Sequence, residues 1–521
     1  SSAASDVYKR QQVSYSNFSV AVSEDGENWS DDYIADMAEG ECFQWKYLTP
    51  SYMGKDKYGN DKRFFYSQPI KFSARYVRIT SQQIGLKMNE AIFHDANGDR
   101  IPATVIAQLN VMEESTLYSD ANNIFDEQDT LEGLPSWWNS TYFDEIYHAR
   151  TAYEHLHGTA PYETSHPPLG KVIMSLGIAI FGMVPFGWRV MGALAGILML
   201  PAMYLLGKQL TKKSSFAFAA ALMLALDCQH FTQTRIATID SYPVLFILFS
   251  WLFMLRFMQR DIVRLPVKNL LPDLALSGLF MGLGIASKWI GVYSGAGLAV
   301  AFFWTIFRHM RMAATSAHLL KTDKSLSDED RKILTLRDQT TMKRVLVICL
   351  WCLLFFVAIP LAIYLLAYIP YFAYAHFDNL KDYLTAVWNA QLSMFSYHSK
   401  PGLGMDHPFY SPWYEWIFNQ RPMYYASPTY VNTPGWSYAI WCFGNPAIWS
   451  AALVGFAYTV FMWAKRHRYT LRKDGETLHW TAADWDVTMP FLLLSALSQF
   501  LPWVLVPRGT YITTTSPQRR S

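Results

Sequence analysis

The sequence predicts a multi-pass α-helical membrane protein with an extracytoplasmic all-β sandwich ahead of it. Three observations carry this reading. Long apolar runs recur from about residue 169 to residue 506, and a spanning helix needs ~20 mainly apolar residues. Charged residues make up 17% of the 521-residue chain and hydrophobic ones 51%, a balance that rules out disorder. Residues 12–112 instead alternate apolar and polar positions in short stretches between turn signals, the period-two pattern of half-buried strands. A net charge of +2 excludes a nucleic-acid binder driven by bulk charge.

Residues 1–11 fit no strand pattern and are set aside as a tail. The sandwich over 12–112 rests on runs such as Phe18–Val22 and Arg75–Ile79, with turns at Asp25-Gly26 and Asn97-Gly98. A linker follows over 113–140, then a membrane domain over 141–512 and a polar tail over 513–521. Eight candidate spans are read at 188–207, 215–232, 237–255, 272–287, 289–307, 345–369, 447–463 and 487–506. The run 169–184 cannot span if 188–207 does, so it is expected to lie in the membrane interface or to dip in and out of it. Cys349 and Cys352 spell C-x-x-C inside an apolar helical pattern, where packing outweighs a redox or metal role.

Basic residues between spans set the orientation. Lys208, Lys212 and Lys213 form one cluster, and Arg256, Arg260, Arg264 and Lys268 a second. The polar loop 308–344 carries nine Lys and Arg, and Lys465, Arg466, Arg468, Arg472 and Lys473 form the last. All four clusters are expected in the cytoplasm. The stretch 272–307 must then cross twice, turning near Ser287-Lys288-Trp289, which puts Lys288 at the outer surface. The same parity places 1–187, 229–236, 370–446 and 507–521 outside. Asp144, Glu145, His166, Arg235, Asp240, Lys288 and Arg508 all fall on that one face. Ionisable residues near membrane depth are costly and usually functional, so an active site is expected at the outer interface.

Four constellations carry chemistry. Asp144 and Glu145 sit among aromatics in Tyr142-Phe-Asp-Glu-Ile-Tyr147. Aromatic burial and the adjacent like charge would raise one carboxyl pKa and suit a general base; a solvated acidic turn is the other reading. His166 precedes Pro167 and Pro168, which mark a rigid entry to a helix. Arg189, Arg235, Lys288 and Arg508 stand at outer helix ends, where they suit an anionic lipid headgroup or snorkel to the interface. The outer loop carrying His398, His407 and Trp413 is dense in aromatics and proline, suited to sugar rings or to an interfacial belt. The two histidines lack a third ligand in the sequence, so neither a metal nor a cofactor is assigned.

From about residue 140 to 512 these segments resemble the protein O-mannosyltransferase family, glycosyltransferase family 39, of GT-C membrane architecture. The matching stretches are Asp144-Glu145, His166-Pro-Pro-Leu-Gly-Lys171, Arg189 in Gly-Trp-Arg, and Thr234-Arg235-Ile-Ala-Thr-Ile-Asp240. Ser287-Lys288-Trp-Ile-Gly291, Tyr397-His398-Ser399 and His407-Pro408 follow. The last are Ser411-Pro-Trp413-Tyr414, Gly444-Asn-Pro446 and Leu501-Pro-Trp-Val-Leu-Val-Pro-Arg508. The resemblance implies a polyprenyl-phosphate-sugar donor, mannose being the expected sugar, and Ser or Thr hydroxyls of exported proteins as acceptors, with inversion. It implies Asp144 as base with Glu145 beside it near the acceptor. Arg189, Arg235, Lys288 and Arg508 are implied at the lipid phosphate, and His166, Asp240, His398, His407 and Trp413 are carried as substrate-binding candidates. The family has a span ahead of the Asp-Glu loop and continues past Pro507-Arg508, so both ends are expected to be cut short. Residues 23–29 and 74–79 resemble discoidin-like, galactose-binding sandwiches. Two rivals stand beside this reading: the same donor with a cell-surface glycan or lipid acceptor, and a non-catalytic membrane anchor for a carbohydrate-binding head.

Overall fold

The computed structural model describes residues 16–30, 33–37, 51–55, 61–65, 72–81, 90–95, 99–109, 121–126, 128, 138, 140–405, 407–426, 439–473 and 487–510. The two tails, most of the linker and the Asn97-Gly98 turn lie outside them. The chain divides into two compact units, Ser1–Arg150 with Ala426–Ala439, and Thr151–Tyr425 with Ile440–Ser521.

In the first unit the expected strands pair with each other. β1 (Ser16–Ser23) runs antiparallel to β2 (Tyr33–Met37) on one side and β5 (Tyr76–Ser81) on the other. The register sets Val20 opposite Ile79 and Val22 opposite Val77. Period two then puts Phe18, Val20, Val22, Val77 and Ile79 on one face, where they pack together. The Asp25-Gly26 turn is built as read. Asp25 Oδ1 accepts from the backbone N–H groups of Glu27 and Asn28, each at 2.8 Å. These bonds hold its carboxyl well below the usual range. Gly26 supplies the left-handed φ of +81° that the turn needs. Two short pairs follow, β3 (Ser51–Lys55) with β4 (Asp61–Phe65) and β6 (Phe93–His94) with β7 (Arg100–Ile101), and a last one joins β8 (Met423–Ala426) to β9 (Ile440–Cys442).

The second unit is helical. Among the described residues seven helices are long and apolar enough to cross a membrane, at 185–211, 241–258, 267–287, 290–322, 328–371, 446–465 and 488–505. The expectation was eight. The segment 215–232 is instead two helices, Ser214–Ala225 and Cys228–Gln233. Asp227 ends the first and caps the second, its carboxylate accepting from His230 N–H at 3.2 Å. Twelve residues rise ~18 Å, short of the ~30 Å hydrocarbon core. The helix Leu169–Phe181 is likewise too short to span, and it starts directly after Pro168 as the two prolines predict.

The polar stretch 308–344 is not a loop. The helix from Ile290 runs on to Thr322, and a new one starts at Asp328, capped by Ser327, whose hydroxyl accepts from Asp330 N–H. Its cations are put to structural use: Arg308 donates to Met258 O at 2.7 Å, Arg344 to Ile262 O and Leu265 O, and Arg337 pairs with Asp261 at 2.7 Å. Periodicity hid these helices because charged faces look like loop when they pair with a neighbouring turn.

The largest core joins the helices 241–258, 271–287 and 290–322 with 345–356, and Cys349 and Cys352 pack against it as apolar side chains. Gly278 and Gly282, one turn apart, allow the closest approach. A Cβ on Gly278 would stand 2.1 Å from Phe355 O, and one on Gly282 2.8 Å from Pro360 Cα, the small-xxx-small contact of packed membrane helices. Pro360 cannot donate a backbone hydrogen bond. The chain absorbs it with a π-turn at Leu354–Ala358.

Candidate active site

The helix Glu145–Leu156 begins at the acidic pair. The pair is not a solvated turn: Asp144 is 6% exposed and Glu145 0%. Glu145 turns back on the entry, its Oε2 accepting from Tyr142 N–H at 3.1 Å while its own N–H donates to Tyr142 O at 3.2 Å. One carboxylate oxygen of Glu145 thus helps close the turn that leads into the helix. Phe143, just before Asp144, is held at φ +52°, a left-handed conformation that a bulky residue adopts at a cost. The strained turn fixes Asp144 at the head of the helix. Both residues belong to the first unit.

The second unit holds a buried polar cluster. Its centre is Glu163, a residue that sequence reasoning missed. Glu163 Oε1 accepts from Ser165 N–H at 2.8 Å and meets His166 Nδ1 at 3.1 Å, while Oε2 pairs with Lys171 Nζ. Lys171, fully buried, spends its other N–H bonds on the carbonyls of Glu163 at 2.9 Å and His166 at 3.3 Å. The signal was present in the sequence: Lys171 opens an apolar helix, and a buried ammonium demands a carboxylate. The His-Pro-Pro-Leu-Gly-Lys stretch is thus a buried ion pair with a histidine on it.

His398 joins from the end of the helix Leu380–His398, which lies in what was read as an outer loop. Its Nε2 donates to Ser165 O at 2.7 Å, and its ring sits 5.3 Å from that of His166 and 6.0 Å from that of Trp289. Burial first, then the guanidinium of Arg508 and the ammonium of Lys288, push the His398 pKa down to about 4. Burial also holds His166 well below its ordinary value, against the pull of Glu163. Two neutral imidazoles face one region, and a neutral ring that donates from one nitrogen accepts at the other.

Lys288 lies at the predicted break, between helices ending at Ser287 and starting at Ile290. Its side chain is withdrawn from solvent. It is 5% exposed and paired with Asp240, also buried, which lets the ammonium leave water. Gln233 Nε2 donates to the other Asp240 oxygen at 3.2 Å, and Tyr425 OH donates to Gln233 Oε1. Neither Gln233 nor Tyr425 was picked out by sequence.

Arg508 is positioned by a strap. Gly402 N–H donates to Pro507 O at 3.1 Å, Gly509 N–H to Leu403 O at 2.7 Å, and Ser411 N–H to Thr510 O at 3.0 Å. Gly509 faces the Gly404 backbone so closely that a Cβ would stand 2.5 Å away. The motifs Pro401-Gly-Leu-Gly404 and Pro507-Arg508-Gly509 are therefore two sides of one contact, and Arg508 emerges buried beside His398.

The structure brings His166, Asp240, Lys288, His398 and Arg508 into electrostatic or bonding reach of one another. The other candidates, Arg189, Arg235, His407 and Trp413, also belong to the second unit. Arg235 is exposed and lies 3.5 Å over the Phe231 ring. Arg189 lies alongside Trp188, on a helix whose Gly192 meets the carbonyls of Thr234 and Ile236. His407 accepts from Phe409 N–H at 3.2 Å, and Trp413 packs edge-on to Phe500. Among the described residues no group of three His, Cys, Asp or Glu is placed to hold a metal.

A family model described as dolichyl-phosphate-mannose-protein mannosyltransferase matches residues 179–380. A second, the C-terminal four TMM region of protein-O-mannosyltransferase, matches residues 383–514. Together they take in more than half of the chain.

The chain belongs to the protein O-mannosyltransferase family.

A Mycolicibacterium smegmatis protein named polyprenol-phosphate-mannose–protein mannosyltransferase is 24% identical over 416 residues, covering 71% of this chain and 72% of the relative. One of the same name from Mycobacterium tuberculosis is 25% identical over 407 residues, covering 69% and 73%. The solved Saccharomyces cerevisiae protein O-mannosyltransferase complex bound to its sugar donor shares 18% identity, covering 54% of this chain and 33% of that one, at a TM-score of 0.34. Within this protein O-mannosyltransferase, Arg189, Arg235, Asp240, Lys288, His398, His407, Trp413 and Arg508 fall inside the matched stretches. Asp144, Glu145, Glu163, His166 and Lys171 precede them.

Proposed function

We propose that this enzyme transfers mannose from polyprenyl-phosphate-mannose to Ser or Thr hydroxyls of exported proteins, with inversion at the anomeric carbon. The acceptor oxygen forms a bond to that carbon as the carbon–phosphate oxygen bond breaks. The lipid leaves as a phosphate monoester, and the hydroxyl proton passes to a carboxylate. One observation carries the reading beyond family membership: two cations, Lys288 and Arg508, are buried beside two neutral histidines. Fixed cations in a water-poor site stabilise the negative charge that grows on a departing phosphate. The neutral imidazoles supply acceptors for hydroxyl groups without adding charge.

In this reading Asp144 takes the hydroxyl proton, and Glu145 holds the turn that presents it. Lys288 and Arg508 serve the phosphate, with Arg189 and Arg235 gripping the donor lipid nearer the bilayer. His166, His398, His407, Trp413 and the Asp240 carboxylate that anchors Lys288 shape the sugar and acceptor subsites. The site faces outward, opposite the basic clusters, and the strands of the first unit belong to a discoidin-like module on that side.

The test is transfer of labelled mannose from synthetic polyprenyl-phosphate-mannose to a panel holding Ser/Thr peptides and surface glycans. Label on the peptide hydroxyls supports the reading, and label on glycans alone would replace the acceptor.

A further inference from the structure

At the far end of the helices from Lys288, three basic side chains share an open cavity of about 600 Å³. Asp240 and Arg260 flank the 18-residue helix Ser241–Met258, so cavity and candidate site lie ~27 Å apart along it. Lys212 comes from the left-handed residue that ends the helix Pro185–Thr211, and Arg256 and Arg260 from the end of Ser241–Met258 and the turn beyond. Val487 and Thr488, at the N-terminus of the helix Thr488–Phe500, complete the wall.

The lining cations are only partly engaged by Asp273, which lies behind them. The buried Asp273 meets Arg256 Nε at 3.1 Å and Arg260 Nε at 2.6 Å. Each guanidinium meets the carboxylate through Nε, and the two side chains remain 42% and 29% exposed to the cavity side of the pair. Lys212 Nζ bonds to the neutral amide Oε1 of Gln259 at 3.0 Å, and Gln209 donates to the same oxygen at 2.5 Å. Among the described residues that line this concave, polar site three are cationic and none is acidic. The N-terminus of the 13-residue helix Thr488–Phe500 also faces the cavity through Val487 and Thr488.

The geometry points to an anion site here, selective for a phosphate group, and separate from the candidate active site. Guanidinium Nη donors match phosphate oxygens in pairs, and an ammonium adds a point charge. The cavity lies at the ends of spanning helices, at headgroup depth, where an anionic phospholipid or a soluble phosphate compound can present that group.

Thermal unfolding of the full chain in detergent tests it, with dioctanoyl-phosphatidylglycerol, dioctanoyl-phosphatidylcholine or inorganic phosphate added in separate titrations. The expected result is a saturable rise in Tm with phosphatidylglycerol and none with phosphatidylcholine at equal concentration. Lys212→Gln and Arg256→Gln should each weaken the apparent affinity about tenfold, the usual worth of a hydrogen bond to a charged group. An equal rise with inorganic phosphate assigns the site to a soluble phosphate, and no rise with it assigns the site to a lipid headgroup. No rise with either anion, or a rise that Lys212→Gln leaves unchanged, overturns the proposal. Lys212 has a neutral partner, so that variant keeps the test valid even if Arg256→Gln unfolds the protein.

Discussion

Lys288 and Asp240 form a buried ion pair although 48 positions separate them in the chain. Each stands at a helix end: Asp240 immediately precedes the helix from Ser241, and Lys288 immediately follows the helix that ends at Ser287. The pair ties two helix ends together and holds a positive charge away from water, where it acts on an anion with little screening.

The first prediction follows from that geometry. Asp240→Asn leaves the ammonium buried without its counter-charge, which costs ~3–5 kcal/mol. Thermal unfolding should show a large loss for Asp240→Asn. The double variant Asp240→Asn/Lys288→Met should recover most of that stability yet remain inactive, because the phosphate has lost its cation. A double variant as active as the wild type would remove Lys288 from the chemistry.

The two adjacent carboxylates should separate. Asp144→Asn is expected to fold normally and to lose turnover by ~10²–10⁴-fold, the usual worth of a general base. Glu145→Gln keeps an oxygen that accepts from Tyr142 N–H, so it should cost less than about tenfold in kcat and ~1 kcal/mol in stability. Initial rates under saturating donor distinguish the two. Equal losses would mean that Glu145 shares the chemistry.

The reading of sequence reached the pairings it had a rule for. Alternation in Phe18–Val22 and Arg75–Ile79 located two strands that pair with each other, and charge parity located the break at Ser287–Trp289. It failed where a residue's meaning depends on a distant partner. Glu163 looks like one acidic residue in a polar stretch until Lys171 is seen to be buried against it. Arg308, Arg337 and Arg344 looked like a solvated loop because the carbonyls and carboxylate they bond lie on another element. Asp227 ended a span early because a cap can outweigh hydrophobic continuity.

Gly509→Ala supplies a steric test of the strap that carries Arg508. The added Cβ would stand 2.5 Å from Gly404 backbone, so the two loops must part. The expected effect is a rise in donor KM of about tenfold or more from a displaced phosphate contact, with little change in acceptor KM. An unchanged donor KM would show that Arg508 does not bind the donor.

The neutral histidines predict a pH dependence. Unfolded His398 titrates near 6.5 and the folded residue near 4. Between those values the unfolded state binds the extra proton, so stability is complete above pH 6.5 and falls as pH drops toward 4. His166 acts in the same sense. Melting temperature measured across this window should fall on acidification, and less steeply for His398→Gln. Identical slopes for wild type and variant would show that His398 is not buried neutral.

The central claim is that mannose moves from a lipid phosphate to a hydroxyl. The most direct measurement is mass spectrometry of one reaction, with the intact protein supplied with polyprenyl-phosphate-mannose and a Ser/Thr peptide. The account predicts peptide carrying a single hexose with inverted anomeric configuration, in amounts equal to the polyprenyl phosphate released, and neither product from Asp144→Asn. Release of lipid phosphate without modified peptide, or hexose-bearing peptide formed from a nucleotide sugar in the absence of the lipid donor, would contradict it.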